Sequence, residues 1–204
     1  MSETIALSTS AGLFQATDPG TSGDRRSFEF GATINRGSAG FAAGLGVRQL
    51  VPESTGERNA VTGRATLSLR PAQDFRIGIG YSRLPFDETA NLIARDLDVG
   101  SLETNIAYNP TRRLELSVGL GAGWVSDGNS RKSVTAAATW GVGRYFALGP
   151  VMRYTKYAEP GVGYFAPTPF RLLQLRGSFA RQWNGWGVRV GGGAGQPASP
   201  ALMA

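Results

Sequence analysis

Charged side chains alternate with apolar ones along much of this sequence, and most of the charged side chains are arginines. Where the alternation is clearest, the polar positions carry seven arginines and three glutamates. These are Arg48, Arg64, Arg70, Arg76, Arg153, Arg176 and Arg189 with Glu29, Glu103 and Glu115. Arginines around a water-filled passage favour anionic solutes, whereas Arg–Glu pairs across neighbouring strands stiffen a wall. Both roles are compatible with this pattern.

The residue types that are missing exclude two common kinds of nucleophilic catalysis and one kind of metal site. The chain contains no His and no Cys, which removes Ser–His and Cys–His catalysis and cysteine zinc sites. The acidic pairs Asp87–Glu88 and Asp96/Asp98 offer oxygen ligands, but nothing nearby completes a calcium loop. We therefore predict no enzyme, no cofactor and no metal site.

The chain is basic, with a formal net charge of +6 and a pI of about 10.2. Such an excess fits nucleic acid, an anionic membrane surface or an anionic solute. The arginines are scattered along alternating segments, without the aromatic stacking platform of an RNA-binding surface. This distribution predicts no nucleic-acid partner.

A two-residue period identifies the elements that carry these side chains. Phe28, Phe30 and Ile34 share one face of a strand, and Ser27 and Glu29 share the other. Repeated along all 204 residues, this pattern predicts one all-β domain, an antiparallel up-and-down transmembrane β-barrel of about 11 to 12 strands. The predicted strands are 3–16, 25–36, 39–51, 60–71, 74–84, 100–109, 113–125, 131–143, 145–157, 170–183 and 186–195.

The connections between these strands alternate in length. Tight turns at 36–38, 71–73, 109–112, 143–144 and 184–185 contain the Gly, Pro or Asn that hairpins use. Longer segments lie between them, at 17–24, 52–59, 85–99, 126–130 and 158–169. Short turns at one rim and long loops at the other are typical of outer-membrane barrels. An antiparallel soluble sandwich or lipocalin-like barrel, whose strands also alternate, is the competing interpretation.

Aromatic residues often stand near the ends of the predicted strands, as Phe75, Tyr81, Tyr108, Trp124 and Trp140 do. This placement is typical of the aromatic girdles that lie at headgroup depth. The N-terminus lacks a signal peptide, which predicts a mature form or part of a longer protein. An odd strand number also leaves open closure with another chain.

Three loop motifs are more specific than the periodicity. They are LPFDET at 84–89, SDGN at 126–129 followed by Arg131, and GYFAP at 163–167. Their order and spacing resemble the C-terminal barrels of bacterial exopolysaccharide-secretion proteins, of the cellulose synthase operon protein C type and related barrels linked to tetratricopeptide repeats. The resemblance covers about residues 80–193. It departs from the family in having no helical repeat before the barrel and no alternating, aromatic-ended last strand.

The resemblance implies a passive conduit for a growing exopolysaccharide, cellulose-like or anionic, in the outer membrane of a Gram-negative-type bacterium. It implies membrane lipid and the polysaccharide chain as partners, with a periplasmic helical-repeat scaffold and a synthase complex. The loops at 85–99 and 158–169 would gate the mouth. The gate residues would be Phe86, Asp87, Asp127, Tyr164 and Phe165. The alternative is a structural or adhesive outer-membrane barrel with a closed lumen and partner-binding loops.

Overall fold

The computed structural model describes residues 3–18, 21–53, 56–87, 90–94, 96–159, 169–183 and 186–197. These residues form eleven strands and one short helix, α1. The strands are β1 (Glu3–Asp18), β2 (Thr21–Arg36), β3 (Ala39–Pro52), β4 (Arg58–Ala72), β5 (Phe75–Pro85), β6 (Asp98–Thr111), β7 (Leu114–Val125), β8 (Ser130–Val142), β9 (Phe146–Tyr157), β10 (Phe170–Trp183) and β11 (Trp186–Pro197); α1 spans Ala90–Ala94. Within the described ranges, no helix is long and apolar enough to cross a membrane.

The eleven strands form one antiparallel sheet in which every strand pairs with its neighbours in sequence. The predicted all-β, antiparallel, up-and-down architecture is therefore confirmed, with eleven strands. β1 and β11 are the two edges, so the sheet stays open over the described residues. Both edges expose backbone groups that a further strand could pair with.

The strands follow the two-residue period closely, with one clear exception. The predicted loop at 17–24 is wrong, because β1 and β2 stay paired as far as Asp18 and Thr21. The sequence there is polar, but residues 17–18 and 21–24 are still paired across the hairpin, and backbone pairing does not require apolar side chains. The pairing also shifts register near Pro71 and Pro110, where a residue without an N–H fits a bulge.

The two faces of the sheet differ sharply in polarity. The strand register places nearly all exposed large apolar side chains on one face, which we call the outer face. Phe14 is the exception among them, since its ring lies on the opposite, inner face beside Arg25. Aromatic pairs lie near both strand ends of the outer face, for example Tyr81 with Trp124 and Phe146 with Phe179.

The sheet curves around its inner face. Arg25 on β2 and Tyr157 on β9 line the same cavity of about 410 Å³, although six strands separate them in the sheet. Helix α1 lies on this face against β1, β2 and β3. The segment between β5 and β6 therefore folds across the concave side to reach the far strands.

Candidate functional site

The inner face gathers all ten residues predicted to line a pore. Alternation and register place nine of them on the side of the sheet opposite the apolar face. Arg70, which lies where the register shifts, lines the same cavity as Arg76 and Glu115. The ten residues are Glu29, Arg48, Arg64, Arg70, Arg76, Glu103, Glu115, Arg153, Arg176 and Arg189. The shared face of the nine follows from the backbone, while the role of all ten in a pore stays a prediction.

A buried carboxylate anchors the segment between β5 and β6, which we call the inward loop (its described residues are 86–87, 90–94 and 96–97). The Asp87 side chain is 4% exposed, and its Oδ2 lies 2.8 Å from Nη1 of Arg48. Its Oδ1 accepts a hydrogen bond of 2.9 Å from Arg25. Hydrogen bonds between charged groups are roughly twice as strong as neutral ones. Asp87 therefore ties the loop to β2 and β3.

The arginines of this cluster are themselves held by their surroundings. The Arg25 guanidinium lies 4.5 Å from the centre of the Phe14 ring, which is a cation–π contact. The side chains of Arg25 and Arg48 are only 24% and 21% exposed. Two half-buried positive charges repel each other, and the shared carboxylate offsets that repulsion.

An apolar contact fixes the same loop a few residues later. Ile93 on α1 is 3% exposed and packs with Ala16 and Leu50 on the inner face. Burying one such side chain stabilises a contact by about 1.5–3 kcal/mol. Leu92 is also buried. Charge pairing and apolar packing therefore hold the loop inside the curve of the sheet.

The loop forms one wall of the 410 Å³ cavity. Phe86 and Asp87 face strands β2, β3 and β5 to β9 across it, and polar side chains supply most of the remaining lining. The Phe86 amide donates to the Leu97 carbonyl over 2.7 Å, which closes the base of the loop. The space left beside the loop is therefore lined by charged and hydroxyl-bearing side chains together with a few apolar ones.

Two further ion pairs cross the inner face between strands that are not adjacent. Arg64 on β4 reaches Glu29 on β2 over 2.6 Å, passing above Gly44 on β3. A Cβ added to Gly44 would lie 2.6 Å from Glu29 Oε1, so the missing side chain leaves room for this pair. Arg76 on β5 also pairs with Glu115 on β7, across the intervening strand β6.

The other predicted pore residues form no such pair. Among the described residues, no ion pair involves Arg70, Glu103, Arg153, Arg176 or Arg189. Arg–Glu pairs therefore occur on β2–β7, between strands separated by one strand and not between neighbours as predicted, and their role in stiffening the wall stays a prediction. The inner faces of β8–β11 have a different character.

The predicted gate residues divide into three cases. Phe86 and Asp87 belong to the inward loop. Asp127 lies in the turn between β7 and β8, where its carboxylate accepts a hydrogen bond of 3.0 Å from the Asn129 amide. Tyr164 and Phe165 lie outside the described residues.

Several residues of the site were not expected from the sequence. Arg25 begins the predicted strand 25–36 and is not among the predicted pore residues, although its odd-numbered position matches that of Glu29. Ile93 lies in a segment predicted to be loop, and its apolar neighbour Leu92 was the available signal. Asn129, which is buried and bonds both backbone groups of Glu159, ties the β7–β8 turn to the end of β9.

Comparison with solved structures finds a similar fold in a chain described as a bacterial polysaccharide outer membrane secretin. The superposition has a TM-score of 0.69 at 14% sequence identity and covers 86% of this chain. It covers 64% of the other chain, so the matched region spans less than two thirds of that chain's length. At this identity the likeness concerns the fold. No family model and no curated protein matches the sequence.

Proposed function

We propose that these strands form part of the wall of an outer-membrane conduit through which a polysaccharide leaves the cell. The observation that carries the proposal is the segregation of the exposed apolar side chains onto one face of a curved sheet. A large exposed apolar surface is unfavourable in water and favourable against lipid. The opposite face is polar and charged, as a water-filled interior requires.

The dimensions of the strands agree with this role. A strand of twelve residues, such as β7 or β9, is about 40 Å long, and at a tilt of about 40° it rises roughly 30 Å. That height matches the hydrocarbon core of a bilayer, which is about 30 Å thick. The aromatic pairs near both ends of the outer face stand where headgroup girdles form.

A lipid environment also sets a requirement for the two edges. Unpaired backbone groups are not viable in hydrocarbon, so β1 and β11 must pair with each other or with further strands, of this protein or of another copy. The likeness to a longer chain described as a polysaccharide secretin supports pairing with further strands of this protein, and it supports the polymer as cargo. A periplasmic scaffold and a synthase complex belong to the same proposal.

The proposed transport needs no catalytic residue. Weak, repeated polar contacts along the inner face let a polymer slide, whereas one tight site would arrest it. The inward loop would narrow the passage at the rim of the long connections, because long loops commonly carry function. The proposal therefore includes a constriction and excludes an enzymatic step.

A second candidate function follows from the same loop. Asp87, Ile93 and the cross-strand ion pairs also suit a permanently closed lumen, with the barrel acting as a structural or adhesive element. The two functions differ in one measurable property, since a closed lumen passes no current.

Single-channel conductance of the full-length protein in planar bilayers tests the proposal. We expect discrete conductance steps, and larger steps in the Ile93→Ser variant, because a polar side chain weakens the apolar anchor of the loop. Ile79→Ser, on the outer face of β5, is the matched control and leaves the step size unchanged. The closed barrel would be favoured if the protein inserts into the bilayer, migrates differently on a gel after boiling, and conducts no current in any variant.

A further inference from the structure

Four arginines follow a regular diagonal across the last four strands, and we call them the unpaired arginine row: Arg131, Arg153, Arg176 and Arg189. Arg131 on β8 pairs in register with Tyr157, and Arg153 stands four residues below Tyr157 on β9. Arg153 is opposite Leu172, and Arg176 follows four residues later on β10.

The last step repeats the first two. Arg176 is opposite Gly193, and Arg189 stands four residues from Gly193 on β11. Each step moves one strand across and four residues toward the short-turn rim. With about 3.4 Å per residue and about 4.8 Å between strands, successive backbone positions are about 14 Å apart. The row therefore runs from the long-loop rim down most of the wall.

The strands β8–β11, which carry this row, contain no acidic residue. At the long-loop rim, Arg131 lines the same 410 Å³ cavity as Asp87 and Glu103. From residue 130 to the C-terminus, Glu159 is the one acidic residue in the sequence, and it follows the end of β9. No described carboxylate forms an ion pair with any of the four arginines. Arg153, Arg176 and Arg189 are exposed. Their guanidinium groups are open to a ligand.

The surroundings of Arg176 leave space for a ligand. A cavity of about 540 Å³ lies over β8–β11, lined largely by Gly and Ala, with Arg176 as its charged residue. The residues directly opposite Arg176 on the neighbouring strands β9 and β11 are both glycines, Gly149 and Gly193. Gln174 and Ser178 on the same strand add groups that can hydrogen-bond sugar hydroxyls.

We propose that the unpaired arginine row is a binding track for an anionic polysaccharide whose sugars carry carboxylates. This inference rests on the proposed conduit and specifies its cargo. A small anion would touch one arginine, because successive positions are about 14 Å apart, whereas an extended polyanion contacts several at once. The planar guanidinium matches a carboxylate with two parallel hydrogen bonds. Each exposed contact is weak, so the chain is held by many contacts and still moves.

The test uses the full-length protein in planar bilayers with two soluble probes of matched length, oligogalacturonate and a neutral cello-oligosaccharide. We expect oligogalacturonate to block the current at a concentration about tenfold lower, which is the lower range of electrostatic enrichment in charged clefts. The preference should shrink when salt is raised from about 0.1 M to about 1 M, because the Debye length falls from about 10 Å to about 3 Å.

The decisive variant is R153Q/R176Q/R189Q, which we expect to abolish the preference for oligogalacturonate. The matched control K132Q/K156Q/R181Q removes three positive charges from the outer faces of β8, β9 and β10. We expect it to block like the wild type. If the triple inner variant fails to insert, R176Q alone should weaken oligogalacturonate block without changing block by the neutral probe.

The outcomes separate this inference from the proposed function. Inserted protein without conductance overturns the conduit. Conducting channels that both probes block equally, with no effect of R153Q/R176Q/R189Q, leave the conduit in place and overturn the binding track. An equal loss of preference in K132Q/K156Q/R181Q would assign the effect to overall charge and also overturn it.

Discussion

The wall made by β1–β7 and the wall made by β8–β11 use arginine in opposite ways. Residues 1–129 contain twelve of the 21 basic residues and fourteen of the 15 acidic ones, and residues 130–204 contain the other nine and one. In the first wall, five arginines at inner-face positions pair with carboxylates, and we call them the paired arginine row: Arg25, Arg48, Arg58, Arg64 and Arg76. In the second wall, no carboxylate among the described residues pairs with the unpaired row.

This difference shows that the sign of a side chain's charge does not by itself define its role. A carboxylate beside an arginine cancels most of its field and fixes its position, so the paired row positions strands and the inward loop. An arginine without a partner keeps its field and its hydrogen-bond donors for a ligand. The loop is therefore anchored to the first wall, and the proposed cargo track lies on the second.

Reversing the charge of the unpaired row has the largest expected effect. In R153E/R176E/R189E three positive charges become negative, and we expect anion selectivity to change to cation selectivity. A charged passage enriches its counterions by about tenfold or more. The measurement is the reversal potential of the full-length protein under a salt gradient.

The control for this reversal is a charge swap in the paired row. E29R/R64E exchanges the two partners of one ion pair and keeps the net charge, so the reversal potential should stay near the wild-type value. An unchanged sign in R153E/R176E/R189E would contradict the assignment of these arginines to the permeation path.

The second prediction removes the anchor of the inward loop. In D87A the half-buried Arg25 and Arg48 lose their shared carboxylate, and breaking a buried pair by removing one partner costs about 3 kcal/mol. We expect the loop to open more often, which raises channel conductance and speeds hydrogen exchange of the Leu92, Ile93 and Leu97 amides.

Asp74→Ala is the control for the anchor, because Asp74 is an exposed residue in the tight turn between β4 and β5. We expect that variant to behave like the wild type in both measurements. Equal exchange rates in D87A and D74A would mean that the other contacts, the apolar packing of Ile93 and the Arg58–Asp96 ion pair, suffice to hold the loop.

The strands and their faces could be predicted from the sequence because both follow from a two-residue period. The placement of Glu29 and Arg64 on one face can be predicted from the alternation of side chains along each strand. Their pairing needs the register of two hairpins and the absence of a side chain at Gly44, which no local pattern encodes. The diagonal of the unpaired row could not be predicted for the same reason. The offset of four residues between successive arginines is seen only once the register of the strands is known.

The inward loop could be predicted as long but not as folded inward. Helix α1 has five residues, too few to form without tertiary contacts, and the contact of Ile93 with Ala16 joins residues far apart in sequence. The gate role of Asp127 stays a prediction. The error at 17–24 arose because polar residues were interpreted as a loop where backbone pairing continues.

The third prediction converts part of the unpaired row into a paired one. Thr135 on β8 is directly opposite Arg153 on the inner face. Thr135→Glu should form a cross-strand pair worth up to about 1 kcal/mol and lower the affinity for oligogalacturonate severalfold. Thr135→Gln, which has the same size without the charge, should leave block unchanged. Equal block of T135E and T135Q would mean that Arg153 does not contact the polymer.

The smallest expected effect tests whether pairing or burial gives the first wall its stability. Arg76 and Glu115 form an ion pair, but their side chains are 44% and 41% exposed. Exposed pairs contribute about 0–1 kcal/mol, which corresponds to a change in Tm of less than about 4 °C for a protein of this size. We therefore expect the Tm of Glu115→Gln to lie within about 4 °C of the wild-type Tm. The Tm of D87A, measured in the same way, should be lower than that. A loss in E115Q as large as that in D87A would show that pairing itself stabilises the wall, because burial is what distinguishes the two carboxylates.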